Sequence, residues 1–232
     1  MLNYINFIRT SLILVLFYLG INSNFSKIGN NPDTVISHDC NLYDELQLPQ
    51  LGLSEDIFDK AVTGWNTLFQ KNLIQKPNLL SIADLSQSSN SKRLYVIDMI
   101  EKKVLFNTYV AHGHNSGEEF AHFFSNKPNS YKSSLGFYLT ENTYEGANGL
   151  SLKLKGVERG INDDAEQRNI VMHGAPYVCE SFIKKNGRLG RSQGCPAVPQ
   201  ELCEPLVNMI KEGSCFFMFY PDSDYLRMST LL

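Results

Sequence analysis

Ser214 to Tyr220 (SCFFMFY) is an almost unbroken apolar run of seven residues. It is too short to cross a bilayer as a helix, and it offers no polar face to water. Such a run fits a strand covered on both sides, which requires packed layers above and below one sheet. The rest of the chain supplies candidates for that sheet. From about Leu79 the apolar pattern shortens and becomes β-like. Arg93–Met99 (RLYVIDM) and Val104–Ala111 (VLFNTYVA) flank Glu101-Lys102-Lys103 and read as a hairpin. Leu135–Thr140 is another short strand, and Leu152 and Leu154 alternate with Lys153 and Lys155, giving a strand with one wet face. Asn169–Met172 (NIVM) is short and apolar.

Helices are fewer. Ser54 suits the cap of a helix from Glu55 to about Asn72, where Ile57, Phe58, Ala61, Val62, Trp65, Leu68 and Phe69 form one apolar stripe. That stripe, including the lone Trp65, reads as core packing rather than a cofactor box. Glu204–Lys211 reads as a second helix, with Pro205 at its first position and Gly213 just past its end. Strands dominate, so the expected class is mostly β with packed helices (α+β), a sandwich or barrel.

The chain has 232 residues, enough for one domain with an extension, and shows no internal repeat. An apolar fraction of 43% against 19% charged residues excludes a mainly disordered chain. Twenty-one Lys and Arg against 24 Asp and Glu give a net charge of −3, which argues against a nucleic-acid partner. Leu12–Ile21 (LILVLFYLGI) is an uncharged stretch of ten residues preceded by Arg9. It is too short for a spanning helix and suits the apolar core of a secretory signal, so residues 1–22 are read as a cleaved signal in preference to a retained anchor. Residues 23–53 are rich in Asn, Ser, Asp and Pro and read as a linker. In an oxidising compartment the five cysteines (Cys40, Cys179, Cys195, Cys203 and Cys215) allow at most two disulfides and leave an odd thiol. The pairing is open at this level, as is the role of Cys179.

The segment His173–Val198 carries the candidate chemistry. A short apolar strand ends at His173, a firm place for a general base. A basic, glycine-containing loop follows, and Ser192-Gln193-Gly194-Cys195-Pro196 then presents a thiol on a tight turn. Thiols act as nucleophiles only as thiolates, which a nearby imidazole or cation favours, and Arg188 and Arg191 lie close in sequence. Gly194 lacks a Cβ, which suits the approach of backbone N–H groups to an oxyanion. Sequence proximity alone does not bring Cys195 and His173 together. A second reading of the histidines is a zinc site using His112, His114 and either His122 or His173; hydrogen bonding in loops is the preferred one.

The HG…S-x-G-C arrangement resembles the catalytic signature of the L,D-transpeptidases, the YkuD-like family, and more closely the murein branch with GRS-x-GCPAV. KRLYVIDM at 92–99, VAHGHNSG at 110–117, FFSN at 123–126 and SSLGFY at 133–138 agree with it. The resemblance spans about residues 79–221. The chain departs from many relatives at Gln193, often His, and at Ala197, often Arg or Asn. The resemblance implies a YkuD-like β-sandwich or barrel over 79–221, preceded by a linker and amphipathic helix (23–78) and followed by a C-terminal tail (222–232). It implies that the Cys195 thiolate attacks a murein stem tetrapeptide and that His173 takes and returns the proton. D-Ala then leaves, giving a thioester, with the Gly194 and Cys195 amides as oxyanion donors and Ser192 shaping the turn or orienting His173. Arg188, Arg191, His112, Gly174 and Tyr138 are the expected substrate contacts. No metal or cofactor is implied. The partners are peptidoglycan stem peptides, with a second stem peptide, an acceptor protein or water completing the reaction. A monomer in the periplasm or cell envelope is expected. The competing functions are a zinc-dependent envelope hydrolase and a non-catalytic murein-binding protein.

Overall fold

A computed structural model describes residues 40–232; the signal assigned to residues 1–22 and the start of the linker lie outside them. The first elements are helices α1 (Cys40–Glu45), α2 (Leu48–Leu51) and α3 (Glu55–Gln70). Ser54 caps α3, its Oγ accepting the Ile57 N–H at 3.4 Å, and Glu55 and Asp56 in the first turn complement the helix dipole. The apolar stripe is buried at Ile57, Phe58, Ala61, Val62, Trp65 and Leu68. Gly64 interrupts an otherwise good helix because a Cβ there would lie 2.0 Å from Phe137 Cζ. The helix therefore approaches the sheet closely at that point.

The linker assigned to residues 23–53 is wrong over its second half. Leu42, Leu46, Leu48 and Leu53 are buried in the same core as α3. Tyr43 and Tyr95 donate their hydroxyls to the carbonyls of Leu53 and Leu51, at 2.6 and 2.9 Å. The polar composition of the segment hid a few leucines brought together by two sharp turns, with Gln47 (φ 54°) and Gly52 (φ 84°) in left-handed conformation.

Eight strands follow: β1 (Leu79–Asp84), β2 (Leu94–Asp98), β3 (Lys103–Thr108), β4 (Gly136–Gly146), β5 (Gly149–Gly156), β6 (Val171–Ala175), β7 (Ala197–Pro199) and β8 (Cys215–Phe219). They form one sheet in the order β3-β2-β1-β8-β4-β5-β6-β7. β1 pairs with β8 and β6 with β7 in parallel; the other neighbours are antiparallel. β8 lies between β1 and β4 and is buried throughout, as its sequence demands. Its side chains alternate between two cores: Cys215, Phe217 and Phe219 join α3, whereas Phe216 and Met218 join helix α5 (Gln200–Ile210). Beyond β3, Ala111 bridges to Ala197 of β7, with the Ala111 N–H donating at 2.8 Å to the Ala197 carbonyl. The two ends of the sheet thereby meet, and the α+β fold is a mixed sheet that nearly closes as a barrel.

α5 starts four residues before the expected Glu204, and Pro205 lies inside it. Packing of Cys203, Leu206, Val207 and Ile210 into the core overrides the local preference of proline for a first turn. The expected tail, 222–232, is also structured. Helix α6 (Ser223–Met228) is capped by Asp222, whose Oδ1 accepts the N–H groups of Asp224 and Tyr225, and Tyr225 and Leu231 are buried. The remaining helix, α4 (Glu180–Asn186), lies in the basic loop. Cys179, Cys195, Cys203 and Cys215 are all free, so no disulfide forms among them.

Candidate active site

β6 and β7 run parallel, with His173 opposite Ala197. That register sets the imidazole beside the turn that ends two residues earlier at Cys195. The turn is tied internally by Ser192: its Oγ accepts the Gly194 N–H at 3.0 Å and donates to the Cys195 carbonyl at 2.6 Å. It is tied externally by the 110–117 block. The Ser192 N–H donates to the His112 carbonyl at 3.0 Å, and the His114 N–H donates to the Ser192 carbonyl at 2.8 Å. Ser133 adds a third tie, its hydroxyl donating to the Gly194 carbonyl at 3.0 Å and accepting the Gly113 N–H at 3.0 Å. Gly194 itself has φ +125°, and a Cβ there would lie 2.8 Å from the Lys132 carbonyl oxygen. Two segments about eighty residues apart in sequence, 110–117 and 192–195, thus meet at one turn and tie it down.

 

Cys195 and His173 both open into one cleft of about 610 Å³, with Ser192, Gln193 and Arg191 on its rim. The half-buried Cys195 Sγ receives the Val171 N–H at 3.5 Å and points its own proton at the Asn169 carbonyl, at 3.6 Å. Burial pushes its pKa up, while the Val171 N–H and the charge of Arg168 pull it back. His173 is buried on β6, and its Nδ1 lies 3.0 Å from the Gly174 carbonyl oxygen. A carbonyl only accepts, so Nδ1 carries the proton and Nε2 keeps its lone pair. The cleft therefore holds a thiol and an imidazole in the tautomer that can take a proton at Nε2.

Several expected contacts lie elsewhere. The Gly194 N–H already donates to Ser192, so it is not a free oxyanion donor. Gly174 lies under α5, where a Cβ would meet Cys203 Cβ at 2.9 Å; its missing side chain serves packing. Tyr138 is fully buried and donates to the Ser134 carbonyl and hydroxyl, so it does not line the cleft. His112 is buried too, and its ring faces Arg93 rather than the cleft. Arg191 reaches the rim, but both it and Arg188 pair with Glu118 at 2.8 Å, which holds that carboxyl below its usual pKa. The histidines of the zinc reading diverge: His112 meets Arg93, His114 stacks on Tyr131 and His122 lies against Tyr220. Among the described residues no three His, Cys, Asp or Glu side chains converge on a metal-sized site.

Sequence reasoning missed Arg168, Asn169 and the aromatic wall of Tyr131, Tyr144 and Tyr177. Only Asn169 left a signal. It sits just before β6 with φ 53°, a conformation Asn tolerates better than most residues. Burial pushes the Tyr177 hydroxyl up to about 12, so it stays protonated beside the thiol.

The family model for the L,D-transpeptidase catalytic domain matches residues 50–219. No curated protein sequence matches the chain. Solved structures similar to it include an L,D-transpeptidase from Mycobacterium smegmatis, at 13% identity and a TM-score of 0.37 over 62% of this chain and 59% of that one. A mutant L,D-transpeptidase from Enterococcus faecium gives 14% and 0.38 over 61% and 50%, and an L,D-transpeptidase (Yku) from Stackebrandtia nassauensis gives 16% and 0.37 over 79% and 76%. The chain spans between half and three fifths of the length of the first two.

Proposed function

For a chain that belongs to the L,D-transpeptidase catalytic-domain family, we propose an acyl transfer on murein stem tetrapeptides with Cys195 as nucleophile and His173 as base. The observation that carries this reading is the shared cleft, in which the Cys195 thiol meets the same space as an imidazole whose Nδ1 is fixed by the Gly174 carbonyl. His173 Nε2 takes the thiol proton, and the sulfur attacks the carbonyl that precedes the terminal D-Ala. The proton passes to the leaving amine, D-Ala departs, and a thioester remains on Cys195. An amine acceptor resolves the thioester into a cross-link or a protein attachment; water resolves it into a tripeptide. The Cys195 N–H serves as the backbone donor to the oxyanion.

Ser192 acts through the turn and not by proton transfer, because its hydroxyl is engaged by the Gly194 N–H and the Cys195 carbonyl. Residues 1–22 act as an export signal, which places the reaction in the periplasm or cell envelope, and the chain works as a monomer. Incubating the protein with a purified disaccharide-tetrapeptide and assaying free D-Ala tests the donor reaction. Release by the wild type and none by Cys195→Ala supports the reading; equal release by both, or none by a folded and reduced wild type, overturns it.

A further inference from the structure

Arg168 stands in the wall of the cleft beside the candidate nucleophile, outside every motif of the chain. Its guanidinium is gripped from two sides. Nη1 donates to the Ser125 carbonyl at 2.7 Å and the Ser134 hydroxyl at 3.0 Å; Nη2 donates to the Lys132 carbonyl at 2.6 Å and the Ser130 hydroxyl at 3.3 Å. All four acceptors are neutral. Among the described residues no carboxylate forms an ion pair with it, in contrast to Arg188 and Arg191, which share Glu118 on the outer rim. Its charge is thus fixed in place without an ion pair; Asp164 and the Tyr138 hydroxyl are the other titratable groups that act on it through space besides Cys195.

The position of that charge matters. Nη2 lies 3.4 Å from the point where a Cβ on Gly194 would stand, so the guanidinium packs against the residue preceding Cys195. The left-handed Asn169 turns the chain immediately after Arg168. That turn brings the Asn169 carbonyl and the Val171 N–H to the Cys195 sulfur. One short segment therefore supplies a hydrogen-bond donor, an acceptor and a cation around a single thiol. Burial lowers the pKa of Arg168, but a guanidinium starts too high to lose its proton near neutrality.

We propose that Arg168 is a positioning residue for the nucleophile: its fixed charge stabilises the Cys195 thiolate, the role that sequence proximity assigned to Arg188 and Arg191. The proposal rests on Cys195 being the nucleophile, but it concerns the thiolate itself and is tested without turnover.

The test is the pH dependence of Cys195 alkylation by iodoacetamide, read by peptide mass mapping in wild type, Arg168→Gln and Arg168→Lys. Arg168→Gln is expected to move the midpoint up by about one pH unit, the size typical of losing one nearby opposite charge. Arg168→Lys keeps the charge and is expected to recover most of that shift although it cannot make all four hydrogen bonds. Cys179 is the internal control, and its profile is expected to stay put. A midpoint unchanged in Arg168→Gln, or moved equally by Arg168→Lys, overturns the proposal.

If Arg168→Gln fails to fold, a wild-type measurement takes its place. A cation beside the thiolate favours an anionic reagent, so the rate ratio of iodoacetate to iodoacetamide at Cys195 is expected to exceed the ratio for the unfolded chain. An equal or lower ratio overturns the proposal. Failure of the D-Ala assay with a normal alkylation shift would instead count against the proposed reaction and leave the role of Arg168 standing.

Discussion

Arg93 donates through Nη2 to His112 Nδ1 at 2.8 Å, and both side chains are buried. Arginine has no acceptor, so Nδ1 is the lone-pair nitrogen and the proton sits on Nε2, which faces the Gly117 carbonyl at 3.4 Å. Arg93 also donates to the carbonyls of Val110 and Gln87. The pair thus braces the 110–117 block from behind, and that block holds the turn of Cys195. Replacing Arg93 by Met leaves three acceptors without their donor. We expect a loss of about 1–3 kcal/mol or more in urea unfolding, the cost of leaving buried acceptors unsatisfied.

The same pair sets a pH dependence. Burial and, next, the charge of Arg93 hold the His112 pKa down to about 3. The unfolded histidine binds a proton near pH 6.5, so between these values the unfolded state holds more protons than the folded one. Stability from this group is therefore full above about pH 6.5 and falls as pH drops toward 3. Thermal melts of wild type and His112→Gln across that window are expected to show a shallower acid dependence in the variant. Parallel curves would contradict it.

Glu158 behaves in the opposite sense. It is buried, accepts the Phe137 N–H at 2.7 Å and the hydroxyls of Tyr225 and Ser229, and burial raises its pKa. A carboxyl raised in the folded state contributes most below its unfolded pKa, and that contribution is lost as pH rises through the folded value. Glu158→Gln keeps the shape and removes the charge. It is expected to melt higher than wild type at alkaline pH, with the gap closing in acid.

Ser192→Ala separates turn geometry from chemistry. It leaves the buried Gly194 N–H and the Cys195 carbonyl without their shared partner. The expected cost is about 1–3 kcal/mol of stability. Loss of D-Ala release is expected to exceed what the unfolded fraction explains, because the turn carries the proposed nucleophile. Full activity in the folded variant would show that the Ser192 hydroxyl does not support the reaction.

These contacts mark where the sequence was readable. The cap at Ser54, the stripe of α3 and the apolar run of β8 were legible because each depends on neighbours in the chain. So was the β2–β3 hairpin, closed by Asp98 Oδ1 accepting the Ile100 and Glu101 N–H groups. The thiol and imidazole were found through a motif whose glycine and serine serve the turn directly. The segment from Leu42 to Leu53, the final helix and Arg168 were not legible. Their roles come from partners far away in sequence, such as Tyr95 for Leu51, Glu158 for Ser229 and Ser125 for Arg168. Tyr138 and Gly174 were misplaced for the same reason: both sit beside motif residues but face the packed interior.

The proposed reaction passes through a covalent bond from Cys195 to the stem peptide. Intact-mass spectrometry of the folded, reduced protein after incubation with a disaccharide-tetrapeptide reads that bond. An adduct of the donor less D-Ala is expected, mapped to Cys195 and missing from Cys195→Ala. No adduct on the wild type under conditions that release D-Ala, or the same adduct on Cys195→Ala, would contradict it.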